Sequence, residues 1–203
     1  MVKKFDPLLL IPIAFVVVGV ACWMLLRDAS FFSLPVVRPP VCPTTGPSTG
    51  ECVPQRLLDK LPPDPERSGK ETLAGVDTDG DGVRDDVQRF IVENYGYSER
   101  GVRALNNLAR SYQVEIVTAD SASREQVHNL SEQISKDASC LIWSVDKQEL
   151  TFENVTNSVR KRMLNTPERR ARHYKFQGLF SGGPMYEGSV EEACGYDPAA
   201  LPN

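Results

Sequence analysis

Three zones of hydrophobic patterning divide the chain. Residues 8–26, LLLIPIAFVVVGVACWMLL, form an unbroken apolar run without a charge. Between residues 28 and 76, apolar residues show no period and prolines accumulate. From residue 77 onward, apolar residues recur every three or four positions, which is the period of an amphipathic helix, and no segment alternates as a strand would. The third zone therefore predicts an all-α domain over residues 77–203.

Five helices are expected in this domain, and three of them carry a start signal. Ser98 is placed to cap the second helix, and Ser123 followed by Gln126 has the pattern of a capping box for the third. Thr166 and Pro167 are typical of the first residues of the fifth. The positions expected to face the core are Val87, Phe90, Ile91, Tyr95, Val102, Leu105, Leu108, Tyr112, Ile116, Val127, Leu130, Ile134, Ala138, Leu141, Trp143, Val145, Phe152, Val155, Val159 and Met163.

The apolar run at residues 8–26 predicts a membrane anchor. A helix of that length spans roughly 28 Å, close to the thickness of the hydrocarbon core of a bilayer. The run is longer than the core of a cleaved signal peptide and lacks a small-residue exit. Lys3 and Lys4 precede it and favour a cytoplasmic N-terminus. A lipoprotein anchored at Cys22 is the alternative. The predicted order is a cytoplasmic segment at residues 1–7, an anchor at 8–26, a proline-rich stalk at 27–76 and an exported helical domain at 77–203.

Cysteine usage agrees with an exported domain. Beyond Cys22 the chain has four cysteines, and an even number in an exported region predicts disulfide bonds, for which four cysteines allow three pairings. Sequence proximity favours Cys42 with Cys52, inside the stalk, and Cys140 with Cys194, from the third helix to the tail. A zinc site is disfavoured because the chain has only two histidines and no C-x-x-C pair.

The clearest candidate for a binding site is the acidic segment at residues 75–86, GVDTDGDGVRDD. Acids at every second position followed by glycine form the pattern D-x-D-x-D-G. In such a loop alternate carboxylates converge on a hard divalent cation, and glycine permits the sharp turn. A cation would offset the repulsion between so many like charges. The alternative is an acidic surface turn that caps the following helix.

This pattern resembles the calcium loops of EF-hands, of thrombospondin type 3 repeats and of the small extracellular excalibur module, over one short segment only. The resemblance implies Ca²⁺ as a cofactor, bound weakly with a Kd of roughly 10⁻⁴–10⁻³ M. An EF-hand closes with a bidentate glutamate where this chain has Gln88, whereas excalibur loops close with an acid at the place of Asp86. The implied ligands are the carboxylates of Asp77, Asp79 and Asp81, the carbonyl of Val83, Asp86 as the closing carboxylate, and Asp85 directly or through water.

A basic cluster occupies the fourth and fifth predicted helices. It predicts contact with an anionic partner such as a lipid headgroup, an acidic glycan or the acidic face of a protein. The alternatives are a solvated surface spread over two helices and docking against acids of the same domain. Its members are Arg160, Lys161, Arg162, Arg169, Arg170, Arg172 and Lys175.

The remaining patterns limit the function classes. The net charge of −4 argues against a nucleic-acid binder. No nucleophile, metalloprotease or phosphate-loop motif is visible, so no catalytic residue is assigned. The expected function is that of a membrane-anchored, non-enzymatic module of a cell envelope, in a periplasm or outside the cell. It would carry a structural calcium site and bind another envelope protein or an anionic glycan or lipid. A calcium-stabilised helical hydrolase using unrecognised carboxylates is the alternative.

Overall fold

The computed structural model describes residues 53–145, 152–179 and 186–201, and these residues form helices and connecting segments without a β-strand. The prediction of an all-α domain is therefore confirmed. Single turns of 3₁₀-helix lie at Ser68–Lys70 and Pro198–Ala200. The α-helices are α1 (Gln55–Leu58), α2 (Asp85–Tyr95), α3 (Glu99–Thr118), α4 (Arg124–Ser144), α5 (Phe152–Met163), α6 (Pro167–Leu179) and α7 (Val190–Cys194).

The expected start signals lie at the helix ends. The Ser98 side chain accepts a hydrogen bond from the backbone N–H of Gly101 at the start of α3. Ser123 and Gln126 form a capping box at the start of α4, and Pro167 is the first residue of α6. These caps satisfy backbone donors that have no partner inside the helix, which is why they fix where each helix begins.

The core forms around α3, which packs against α2, α4, α5 and α6. Most positions expected to be apolar and inward-facing are buried there or pack against the buried cluster. Val127 and Leu130 pack in a second, smaller cluster with Ala119 and Phe176, and Ala138 is partly buried.

Trp143, in contrast, is 67% exposed. The prediction that it packs in the core was wrong. On this part of α4 the buried residues are Asp137, Cys140, Leu141 and Ser144, a spacing that places Trp143 on another face of the helix.

The segment before residue 77 also contacts the helices. Val53 is 2% exposed and belongs to the core cluster. Leu57, Leu58, Leu61 and Leu73 pack against the same cluster. The part of the chain packed onto the helical domain thus includes residues that the sequence assigns to the stalk.

Several predictions concern residues outside the described ranges, namely the anchor at residues 8–26, the lipoprotein alternative at Cys22 and the pairing of Cys42 with Cys52. Within residues 53–145, 152–179 and 186–201, no helix combines the length and the apolar character needed to cross a bilayer.

A disulfide joins Cys140 to Cys194, with 4.9 Å between their Cα atoms, and confirms the predicted pair. It fastens the short helix α7 to the long helix α4. Ser189 and Glu192 form a capping box at the start of α7, and Gly195 adopts a φ of 69° at its end. The sequence analysis did not predict this helix.

Candidate metal centre

The acidic loop lies directly before α2, and a backbone hydrogen bond closes it. The N–H of Asp85 donates to the carbonyl of Val76 at 2.9 Å, which brings the two ends of the loop together. Gly80 and Gly82 have φ values of 69° and 84°. Such left-handed conformations strain most residues with a Cβ, so glycine is the residue that lets the loop curl.

Three carboxylates converge inside this curl. One oxygen each from Asp77, Asp79 and Asp85 lies within 4.8 Å of the other two, so the group could hold a metal ion. Asp77 and Asp79 are exposed, whereas Asp85 is buried. An all-oxygen set of this kind suits hard divalent cations and not zinc or copper, which favour nitrogen and sulfur.

Hydrogen bonds from the loop itself orient two of these acids. The N–H of Gly82 donates to Asp77 Oδ2 at 3.0 Å. Thr78 donates twice to Asp85, from its N–H to Oδ1 at 2.8 Å and from its hydroxyl to Oδ2 at 2.5 Å. The sequence analysis did not assign a role to Thr78. Its position opposite Asp85 follows from the curl of the loop and leaves no pattern in the sequence.

Asp81 is placed next to this group and is not one of its three members. Its Oδ1 accepts from the N–H of Val83 at 2.7 Å, and its Oδ2 accepts from Gln88 Nε2 at 3.2 Å. Burial raises the pKa of Asp81 above its ordinary value. The Val83 N–H lowers this pKa, and the nearby negative charge of Asp79 raises it further. The ionised state of Asp81 is therefore disfavoured mainly by loss of water contact, and the like charges of Asp79 and Asp77 add to this effect.

Gln88 reaches into the loop from the first turns of α2. Its Nε2 also donates to Asp79 Oδ2 at 3.0 Å, so one amide nitrogen bridges two acids. Its Oε1 is buried and has no hydrogen-bond partner in the described part of the chain. A 180° rotation of the amide would exchange these two atoms and direct Oε1 at the position now held by Nε2. In an EF-hand this position holds the closing glutamate, but the sequence analysis did not assign Gln88 as a ligand.

Val83 is the residue whose carbonyl the resemblance implies as a ligand, and its surroundings leave that carbonyl free of hydrogen bonds within the described residues. Its side chain is fully buried in the core. Its N–H is used by Asp81, and no hydrogen bond to its carbonyl oxygen occurs within the described residues. That carbonyl is therefore not committed to another partner.

Asp86, which the resemblance implies as the closing ligand, is not a member of the group of three acids and is held by basic and polar side chains. Arg84 donates to both of its carboxylate oxygens, at 2.9 and 3.1 Å, and both residues are buried. Asn165 donates to Oδ2 at 3.1 Å, and Arg162 lies 3.3 Å from the same oxygen. Arg84 also donates to the carbonyl of Met163, at the end of α5, at 3.0 Å. Asp86 thus lies outside the group of three acids and helps to fasten the loop to the C-terminal end of α5.

Arg169, one member of the predicted basic patch, is fully buried. It donates to the backbone carbonyls of Gly69, Thr72 and Leu73 at 2.7, 2.9 and 3.1 Å, and to Asn165 Oδ1 at 2.5 Å. Desolvation, with a further contribution from the like charge of Arg84, lowers the pKa of Arg169 to about 10. It remains charged at neutral pH and holds the segment before the acidic loop against α6.

Other members of the patch pair with acids of the same domain. Arg162 contacts Asp86, and both Arg172 and Lys175 contact Asp120. This matches one of the three alternatives for the cluster, docking against acids within the domain. The remaining members lie at least partly on the surface and are Arg160, Lys161 and Arg170.

Comparison with known proteins identifies no relative. No family model matches the chain, and neither a curated protein nor a solved structure matches it. The geometry of the site therefore carries the functional argument.

Proposed function

We propose that this protein is a membrane-anchored, non-enzymatic module of a cell envelope whose exported helical domain is stabilised by a structural Ca²⁺ ion. The observation that carries the proposal is the convergence of Asp77, Asp79 and Asp85 within 4.8 Å of one another in a D-x-D-x-D-G loop. The anchor and the envelope setting follow from the apolar run at residues 8–26 and from the cysteine usage.

Calcium fits this oxygen set better than magnesium. Ca²⁺ accepts six to eight oxygens in a flexible arrangement, whereas Mg²⁺ demands a near-ideal octahedron and retains its waters. The loop offers three converging carboxylates, with Asp81 beside them, the carbonyl of Val83 and the amide of Gln88 at its edge. Carboxylates mixed with neutral carbonyl and amide oxygens are typical of calcium sites.

A structural role is favoured over a signalling one by how the loop is held. The pair formed by Arg84 and Asp86 fastens the end of the loop to α5. Arg110, which lies on α3, donates from Nε to the carbonyl of Asp81 at a distance of 2.7 Å. A sensor loop lies between two helices that open on binding. Here residues 71–84 contain no helix, so only α2, after the loop, could respond.

The hydrolase alternative receives less support. Asp137 and Glu192 line the same cavity, and burial raises the pKa of Asp137, a combination that the alternative requires. Both oxygens of Asp137, however, accept hydrogen bonds, from Ser111 at 2.5 Å and from Gln133 at 2.9 Å. Since Asp137 is 2% exposed, this carboxyl is presented to its neighbours and not to a substrate. The arrangement favours a binding or structural module.

Thermal unfolding tests the calcium proposal. The oxidised full-length chain in nonionic detergent is melted with Ca²⁺, with Mg²⁺ and with excess chelator, and unfolding is followed by circular dichroism. Calcium at about tenfold above Kd should raise Tm by about 3 °C or more because it binds only the native state. Magnesium at the same concentration should raise it less.

Two variants make the melting experiment specific. Asp79→Asn removes an exposed member of the group and should abolish the calcium-dependent shift while leaving Tm in chelator unchanged or higher, because a like charge is lost. Asp64→Asn, an exposed acid outside the loop, serves as the matched control and should retain the full shift. Melting curves that coincide in chelator and in about 10 mM calcium, tenfold above the weakest expected Kd, would rule out the structural ion.

A further inference from the structure

Two adjoining cavities lie along one polar face of α3. One, of about 380 Å³, is also bordered by α1 and Leu201, and the other, of about 340 Å³, by α4 and α7. Asn107 and Arg110 line both, so the cavities form one depression, termed here the α3 groove. Residues spaced by three, four, seven and eight positions share one side of a helix. The floor of the groove has this spacing and consists of Arg103, Asn106, Asn107, Arg110 and Ser111.

The acids that border the α3 groove already have partners. Glu99 forms an ion pair with Arg56. Asp137 accepts from Ser111 and Gln133. Glu192 accepts from the hydroxyl of Tyr186 at 2.9 Å and from the N–H of Ser189 at 3.3 Å. Glu99 is thus paired with a cation, whereas the carboxylates of Asp137 and Glu192 are held in place by neutral hydrogen-bond donors.

Within the described residues, the two arginines of the groove floor make their direct contacts with neutral groups. Arg103 is exposed and lies over the ring of Tyr196, 3.9 Å from its centroid. Arg110 donates to the backbone carbonyl of Asp81 and, at 3.1 Å, to Asn107 Oδ1. Neither forms an ion pair with a carboxylate in the described residues. Both guanidinium groups retain donors that suit the planar geometry of a carboxylate.

An unused acceptor lies between these arginines. Asn106 Oδ1 is buried and has no hydrogen-bond partner in the described residues. A buried acceptor without a donor costs roughly 1–3 kcal/mol. A side-chain amide presents a donor and an acceptor side by side, which matches the N–H and C=O groups of a peptide backbone.

We propose that the α3 groove binds an extended acidic peptide segment of a partner protein. Arg103 and Arg110 bind its carboxylates, and Asn106 bonds to its backbone. The two arginines are seven residues apart, or about 10 Å along the helix axis, a distance that three residues of an extended chain cover. Arginine pairs of this kind are a recurring means of binding acidic motifs.

The residues that line the groove favour a peptide over other classes of ligand. Sites for small organic molecules are mostly lined by apolar and aromatic side chains. No aromatic side chain lines either cavity in the described residues, and most lining side chains are polar or charged. A uronic-acid glycan shares the carboxylate chemistry of an acidic peptide but has no backbone amide to satisfy Asn106, so it serves as the competing ligand in the test.

Fluorescence anisotropy tests the proposal on the full-length chain in nonionic detergent. The probe is a fluorescein-labelled decapeptide of alternating glutamate and alanine, with lysine replacing glutamate in a control peptide. Saturable binding of the acidic peptide alone is expected. Arg103→Gln should weaken it at least about tenfold, since one charge-assisted interaction is lost. Asn106→Asp, which is nearly isosteric, should weaken it at least as much by placing a negative charge in the groove.

Arg124→Gln is the matched control, because Arg124 is exposed on α4 and lines neither cavity. It should bind the acidic peptide as the wild-type protein does. Equal loss in Arg124→Gln and Arg103→Gln, or an absence of saturable binding, would overturn the proposal. Saturable binding of an oligogalacturonate, without binding of the peptide, would overturn it in favour of a glycan. The titrations are run both in calcium and in chelator, so failure of the calcium site leaves this readout intact.

Discussion

Arg169 illustrates at the scale of one residue how a charge can serve the fold. Its guanidinium is buried, and all of its partners are neutral oxygens, three of them backbone carbonyls of residues 69–73. Replacing Arg169 by alanine would leave those carbonyls buried without donors. We expect Arg169→Ala to lower the free energy of unfolding by about 3–5 kcal/mol.

Urea denaturation of the full-length protein measures this change. Arg170→Ala is the natural control, because Arg170 is the next residue and is exposed. Among the described residues its side chain makes one hydrogen bond, to the carbonyl of Leu164 at 3.0 Å, at the surface. It should change stability little. Similar losses in the two variants would contradict the assignment of Arg169 as the buried support of the segment before the loop.

Gln88 offers a second test at the residue scale. Glutamate at this position would supply two carboxylate oxygens to the loop, where glutamine supplies at most one amide oxygen. We expect Gln88→Glu to lower the calcium Kd by about tenfold or more, measured by isothermal titration calorimetry. In chelator the same variant should be less stable, because a fifth carboxylate joins Asp77, Asp79, Asp81 and Asp85 without a cation.

Gln126→Glu is the matched control for that charge change. Gln126 belongs to the capping box of α4, where glutamate serves equally well, and it lies outside the loop. Its calcium Kd should equal that of the wild-type protein. An unchanged Kd in Gln88→Glu would show that this side chain does not reach the ion.

The candidate site was predictable from the sequence only where its chemistry is periodic. Asp77, Asp79 and the glycines stand at the spacing that a curled loop requires, so their convergence was expected. Asp85 and Asp86 are adjacent and chemically identical, and their roles differ because α2 turns one toward the loop and the other toward Arg84. That distinction depends on contacts with α5, far away in sequence, which no local pattern records.

At the scale of elements, the starts of most helices could be predicted from local signals, whereas the short helix α7 near the C-terminus was not predicted. The starts of α3, α4 and α6 depend on caps and on proline, which act within a few residues. Helix α7 has five residues, too few to be stable alone in water. Its capping box, Ser189 with Glu192, was the signal that the sequence analysis missed.

The disulfide between Cys140 and Cys194 compensates for the shortness of α7. It closes a loop with a sequence separation of 54. Chain-entropy arguments give about 4 kcal/mol for a loop of that size. The double variant Cys140→Ser/Cys194→Ser should lose stability of that order, and the amides of residues 190–195 should exchange hydrogen much faster.

Hydrogen exchange read by mass spectrometry gives this local readout, with Cys42→Ser/Cys52→Ser as the control for loss of a predicted disulfide elsewhere. The control should leave the exchange of residues 190–195 unchanged. Continued protection of α7 in the first double variant would mean that packing, and not the covalent link, holds this helix in place.

At the scale of the whole molecule, α3 organises both the core and the surface. One face buries Leu105, Leu108 and Ile116, while another forms the floor of the α3 groove. One side chain, that of Arg110, therefore contacts both the acidic loop and the groove. The all-α class was predictable because these helices are strongly amphipathic. The groove was not, because it arises from how α4 and α7 are arranged around α3.

Arg110 would consequently take part in both of the proposed binding equilibria, since its Nε donates to the Asp81 carbonyl while the rest of its guanidinium lines the groove. Ordering this side chain for one ligand lowers the entropy that the other must give up. Such coupling would make calcium raise the affinity for an acidic peptide, and thermodynamic reciprocity would then require the peptide to raise the affinity for calcium by the same factor. An extracellular protein with these properties would bind its partner tightly only at a high concentration of free calcium. The calcium concentration outside the cell would then set the lifetime of the complex.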